Sequence, residues 1–250
     1  MYEMVRSVNL WHTVVLPPTK VKEMTTEMST RLAKGRTRKN DPERVQADIM
    51  RVATQEFSEK GLSGARIDEI AEKTRTSKRM IYYYFKDKET LYLKALERSY
   101  QQVRQQEEAL DLDHLEPVEA LTRLVAFTFE HHLNSPDFIR MVMIENIHHG
   151  RFIEQSDLIQ TLNAGAVNEL EKVYQRGVDA SVFRPNLEAI ELHWLISALS
   201  FFNVSNRYTF SRIFSWDQSA PENQQRLASH VVEMVLRYVL NEPGQISPAV

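Results

Sequence analysis

Ser77, Lys78, Arg79, Tyr82, Tyr83 and Lys88 crowd one short stretch of the chain. Cations and hydroxyls at this density suit a polyanion. A guanidinium or ammonium neutralises phosphate, a tyrosine hydroxyl bonds a phosphate oxygen, and Arg or Lys reads guanine edges. Lys78 and Tyr82, and Arg79 and Tyr83, stand four apart, so on a helix they share one side. Ile81 and Phe85 would face the other way. A short helix buries a single stripe, so Tyr82, Tyr83 and Tyr84 cannot all point inward. Met80 is open between packing and a thymine-methyl contact. Arg66 opens one neighbouring helical segment and Lys88 another, where backbone N–H groups and a cation jointly hold phosphate. Arg44 and the run Arg31, Lys34, Arg36, Arg38 and Lys39 add cations suited to following a backbone or minor groove.

Other chemistries are poorly supplied. Cysteine is absent, which excludes disulfides, thiolate metal sites and a cysteine nucleophile. The 7 glycines disfavour phosphate-cradling loops. Histidines pair at 131–132 and 148–149, but neighbours on a helix point about 100° apart and chelate poorly. His132, Glu145 and His148 are a remote metal possibility; neither metal nor cofactor is expected. No Ser/His/Asp pattern emerges, so no enzyme is expected. No run reaches the ~18–20 apolar residues of a membrane span, and Val14–Leu16 is too short for a leader. A cytoplasmic protein is expected, with Met24 and Met28 as alternative starts.

The elements that must position these residues are helical. The 42% hydrophobic and 26% charged content can build a core. Asp41-Pro42-Glu43 opens a helix carrying Val45, Ile49, Val52 and Phe57 inward, stopped at Gly61. Short helices follow at about 66–73 and 77–84, joined by Thr74-Arg75-Thr76. Longer ones are expected over about 88–110, from 117 and from 136, then over 156–178, 187–206 and 223–240, with a loop from 206 to 222. The expected domains are a flexible basic arm 1–40, a three-helix DNA-binding domain 41–87, a helical ligand-binding and dimerisation domain 88–242, and a disordered tail 243–250. Charge divides the same way: residues 31–104 hold 18 Lys and Arg against 11 Asp and Glu, whereas 105–250 hold 10 against 20. A polyanion would attract the first part and repel the second.

Two short helices joined by a three-residue turn, after a longer supporting helix, form a helix-turn-helix. Residues 43–100 resemble the DNA-binding region of TetR-family transcriptional regulators. The resemblance rests on Ile49, Ala53, Phe57, Gly61, Ile67-Asp68-Glu69-Ile70-Ala71, Ser77-Lys78, Ile81-Tyr82, Tyr84-Phe85 and Asp87-Lys88-Glu89-Thr90-Leu91. Where the family usually has glycine in the turn, this chain has Arg75; Thr76 replaces a frequent valine and Ala65 a capping threonine. The resemblance implies an all-α regulator, a homodimer paired through helices 187–206 and 223–240, and release from a palindromic operator by a small organic effector. A two-fold protein matches two half-sites.

Helix 187–206 is apolar nearly all round, so it is buried on every side, one face meeting the core or a pocket and the other a partner. Candidate effector contacts are Phe129, His132, Met141, Glu145, Trp194, Ser197 and Phe201. Aromatic and methionine side chains with a few polar groups suit an organic ligand. The alternative is an architectural or cell-structure DNA-binding protein without a small-molecule effector, marked by a closed core and sequence-tolerant binding.

Overall fold

The protein is described by a computed structural model over residues 41–241. The basic arm 1–40, with Arg38 and Lys39, and the tail 243–250 lie outside the described residues. Among the described residues, those from Gln46 onward form one compact unit.

Ten α-helices run through the described residues: α1 (Pro42–Gly64), α2 (Ile67–Lys73), α3 (Lys78–Phe85), α4 (Lys88–Glu108), α5 (Pro117–Asn134), α6 (Pro136–Ile147), α7 (Asp157–Asp179), α8 (Ala189–Ser205), α9 (Arg207–Ile213) and α10 (Pro221–Val239). The only pairing of strand type among these residues is one bridge, Phe183 to Leu240. The all-α architecture expected from the helical periodicity is present.

Local chemistry accounts for the boundaries. Gly61 turns left-handed at φ 67°, which breaks α1 and leaves one further turn to Gly64. Ser77 caps α3 by accepting from the Met80 N–H at 3.3 Å, and Asp87 caps α4 by accepting from Thr90 at 2.7 Å. Between α2 and α3 the chain turns through Arg75 at φ 52°. An L-residue held there costs about 1 kcal/mol or more. Arg75 is exposed. Arg75→Gly therefore raises unfolding free energy by about 0.5–1 kcal/mol, net of the entropy glycine adds to the unfolded chain. Urea titration checks this; an unchanged or lower midpoint would show that the turn stores no such strain.

The first three helices are locked by charge as well as packing. Glu56 on α1 is fully buried and pairs with Lys60 at 2.7 Å and with Lys73 of α2. Burial raises its carboxyl, but the two lysine hydrogen bonds outweigh that and hold it low. Tyr92 of α4 then ties this trio to the rest of the unit. Its ring meets Phe57 edge-on at 5.1 Å and Phe152 at 5.1 Å. Nearby, Ser58 of α1 donates to Asp137 of α6 at 2.9 Å. The boundary expected at 87/88 is thus crossed by packed side chains.

In the C-terminal helices α5 is central, against α7, α8 and α10. Leu121, Val125 and Phe129 meet Leu170 and Val173 of α7, Leu192 and Ile196 of α8, and Val231 and Val235 of α10. Gly177 is required by packing: a Cβ there would stand 1.9 Å from the buried Phe183 ring. One expectation is corrected. The stretch after residue 206 is not simply a loop, because α9 occupies Arg207–Ile213. Phe202, Asn206, Phe210 and Phe214 recur every four residues, and Phe210 packs on Phe202, Phe214 and Trp216. Beyond α9 a buried amide group, Asn203, Gln218 and Gln224, pins the connection between α8 and α10.

Candidate nucleic-acid interface and effector domain

α3 is amphipathic across its short length. Ile81 and Phe85 are buried against the unit. Lys78, Arg79, Tyr82 and Tyr83 are all exposed, Tyr83 at 77%. A tyrosine that leaves so much ring in water is not a core residue. Tyr84, half-buried, packs edge-on to Tyr83 at 5.3 Å. The geometry therefore presents two cations and two phenols on one solvent side, with Ser77 at the helix mouth.

Several of these groups already have partners. The Lys78 ammonium pairs with Asp68 of α2, both exposed. Such a pair is worth little in water and exchanges readily for phosphate. Lys88 differs: its ammonium donates to the Ala65 carbonyl at 2.9 Å, tying the start of α4 to the loop before α2. Arg66 is exposed and extended ahead of α2, with no side-chain cap. Arg44 is exposed on the first turn of α1. Neither tie was visible from composition, since a lysine near a helix start reads the same whether it holds phosphate or a carbonyl.

The expected effector residues do not share one environment. Phe129 and Met141 are buried core side chains. His132 and Ser197 are half-buried, near the buried His131 and the half-buried His193: Ser197 Oγ stands 3.5 Å from His193 Nε2, and His132 Nδ1 donates to the Thr128 carbonyl at 2.7 Å. Phe201 is half-buried on α8. Glu145 is fully buried, but its carboxylate is already used. It accepts from Tyr92 Oη at 2.9 Å and from the Phe152 and Ile153 N–H groups at 3.0 and 3.1 Å. His148, its imagined metal partner, is exposed. Trp194 stands apart from all of these. It is 68% exposed and borders an open cleft of about 490 Å³ with Ile190, Glu191, Leu195 and Tyr238.

That cleft belongs to an apolar outer face. On α8, Ile190, Trp194 and Phe202 point outward; on α10, Met234 and Tyr238 do. The inner faces of the same helices carry Leu192, Ile196, Val231 and Val235 in the core. Exposed apolar side chains gathered on adjacent helices mark an interaction surface. Tyr208, Ile213 and Phe214 of α9 are exposed as well.

Two family models match the chain. The model described as "Bacterial regulatory proteins, tetR family" matches residues 49–95. That described as "Tetracyclin repressor-like, C-terminal domain" matches residues 117–235. The HTH-type transcriptional repressor NicS of Pseudomonas putida is 31% identical over 200 residues, 80% of this chain and 94% of NicS. Among solved structures, the regulator SCO4942 from Streptomyces coelicolor aligns with TM-score 0.60 at 22% identity, over 78% of this chain and 98% of that one. AibR, solved with isovaleryl coenzyme A and operator DNA, aligns with TM-score 0.59 at 17% identity over 76% and 97% of the two chains. Among the described residues, no helix is long and apolar enough to cross a membrane. With its three-helix reading head and its helical C-terminal region both matched, the chain belongs to the TetR family of bacterial transcriptional regulators.

Proposed function

We propose that the protein is a dimeric repressor that grips a palindromic operator through two copies of α3 and lets go when a small organic effector enters the C-terminal helices. The observation that carries this is the solvent side of α3, where Lys78, Arg79, Tyr82 and Tyr83 stand exposed above the buried Ile81 and Phe85. In a helix-turn-helix the N-terminal part of the second helix meets base edges in the major groove, while its flanks hold phosphates. Arg66, Arg44 at the start of α1 and the arm cations Arg38 and Lys39 are assigned to the backbone. Lys88 shares in this through the N–H groups at its helix start. NicS is named a repressor, and AibR was solved with both an acyl-coenzyme A and operator DNA. These names support a repressor with an effector here. Residues 41–87 act as the reading head and 88–242 as the effector and pairing region. The protein works in the cytoplasm, where its operator lies, and needs no catalysis.

Effector control follows from α4, which begins beside the reading head and continues into the C-terminal core. A ligand that binds better to one setting of α4 shifts the spacing of the two α3 copies by the difference in its affinity for the two settings. The direct test is at α3. Lys78→Ala or Tyr83→Ala weakens operator binding by about tenfold each, and the Lys78 change also lowers the salt slope by about one. Gel-shift titrations at several salt concentrations read both quantities. Unaltered affinity at every salt would remove α3 from the groove.

A further inference from the structure

A carboxylate stands among the cations of the reading head. Asp68 lies in the first turn of α2, and Lys78 is the first residue of α3. Their side chains form an ion pair that joins the two helices, and each is about half exposed. By reaching the Lys78 ammonium, Asp68 enters the solvent side that carries Arg79, Tyr82 and Tyr83. Phosphate repels a carboxylate, so an acid on that side costs affinity for DNA.

The fold gains little from this acid. Glu69, the next residue, already supplies the negative charge that the start of α2 favours, and it pairs with Lys60. Glu56, fully buried, binds α1 to α2 through Lys60 and Lys73. A pair as exposed as Asp68 and Lys78 adds little stability to these ties.

On a DNA duplex a carboxylate has few favourable contacts. Phosphate and sugar give it no donor. In the major groove the donors are base amino groups, and the usual partner of an aspartate is cytosine N4. An ammonium carries three donors, so Lys78 can keep Asp68 and still reach guanine O6 or N7. The pair then meets both halves of one guanine–cytosine pair. On other sequences Lys78 turns to phosphate and leaves Asp68 unpaired beside the backbone.

We propose that Asp68 is a specificity-determining residue: through Lys78 it weakens binding to DNA at large and spares a site that offers a guanine–cytosine pair to the start of α3. The proposal rests on the operator-binding reading above and adds to it a repulsive element that rejects wrong sequences.

Asp68→Asn keeps the size and removes the charge. Binding of the full chain is measured, at several salt concentrations, to two duplexes of equal length. One is the sequence most enriched by the wild-type protein from fragmented genomic DNA; the other is the same bases scrambled. Asp68→Asn is expected to bind the scrambled duplex about fivefold more tightly, with a salt slope steeper by about one, and the enriched duplex at most about twofold more tightly. In a Lys78→Ala background the same change is expected to alter discrimination by less than about twofold, because the pair is already broken. Exchanging each G·C pair of the enriched duplex for A·T in turn is expected to reveal one position per half-site that costs the wild type about tenfold and Asp68→Asn much less. No gain on the scrambled duplex, an equal gain on both, a loss of discrimination that persists without Lys78, or the absence of such a position would each overturn the role of Asp68. A wild-type protein that enriches no sequence at all overturns the operator-binding reading itself, whereas clean enrichment with an indifferent Asp68→Asn overturns only this proposal.

Discussion

Glu145→Ala is expected to lower the unfolding free energy by about 3–5 kcal/mol, among the larger losses a single substitution causes. The carboxylate accepts three hydrogen bonds in a site that water does not reach: one from Tyr92 Oη and two from the N–H groups of Phe152 and Ile153. Alanine leaves all three donors buried and unmatched, and each orphaned donor costs about 1–3 kcal/mol before relaxation. Glu145→Gln keeps one carbonyl oxygen. That oxygen can retain the two backbone donors while the amide nitrogen faces Tyr92 Oη, so its cost is smaller, about 1–2 kcal/mol. Tyr92→Phe should cost about as much as Glu145→Gln. The double change Tyr92→Phe with Glu145→Gln should cost less than the two singles summed, because the partners are lost together. Burial, with the Glu145 bond and charge adding to it, drives the Tyr92 phenol upward, so it stays a donor. Urea titrations of the four proteins decide between two roles. A carboxylate held for an effector could be removed at little cost to the fold. A carboxylate that closes the turn after α6 cannot, and that turn also fixes Phe152 against Tyr92 at the junction with α1. Loss of less than about 1 kcal/mol in Glu145→Ala would return Glu145 to the effector set.

The same residue shows where sequence reading ends. The reading head was legible because its signals are local: a short helix opening at Ser77, an isoleucine and a phenylalanine four apart, and the run Asp87-Lys88-Glu89-Thr90-Leu91 opening the next helix. Each is a fact about neighbours along the chain, and each recurs in the structure. Arg75 was legible for the same reason, as a non-glycine residue where the turn requires positive φ. Glu145 was not. Its type suits a pocket as well as a buried cap. Its partners are N–H groups seven and eight residues on, brought back by left-handed backbone at His149 and Gly150. Lys88 finds its acceptor 23 residues upstream, across two chain reversals. Tyr100 of α4 meets Phe138 of α6 edge-on at 5.1 Å, and no spacing rule links the two. α8 failed for a different reason. A helix that is apolar all round has no preferred direction, so periodicity could not say whether Trp194 faced a ligand or a partner. α9 was passed over because Asn206, Thr209 and Ser211 read as loop composition, although the four-residue aromatic spacing through it was present.

Trp194→Asp is expected to convert the protein from dimer to monomer and to weaken operator binding by about a hundredfold or more. Trp194 is 68% exposed on a single chain and lies with Ile190 and Tyr238 around the cleft between α8 and α10. If that face pairs with its copy across a two-fold axis, one substitution enters the interface twice. Two carboxylates then replace two indoles in an apolar contact, at a desolvation cost, and Glu191 beside each is already acidic. Without pairing, each reading head binds a half-site alone and loses the high effective concentration that the second contact enjoys. Sedimentation gives the mass and gel-shift titration the affinity. Asp in place of the exposed Ile147, at the end of α6, is expected to leave both unchanged. The measurements also separate the two roles considered for Trp194. A Trp194→Asp protein that remains a dimer and binds operator normally, but no longer releases it for its effector, would put this tryptophan in the ligand site. Monomer formation together with lost operator affinity would put it in the seam that sets the distance between the two α3 helices, where a half-site spacing of about 34–36 Å must be met.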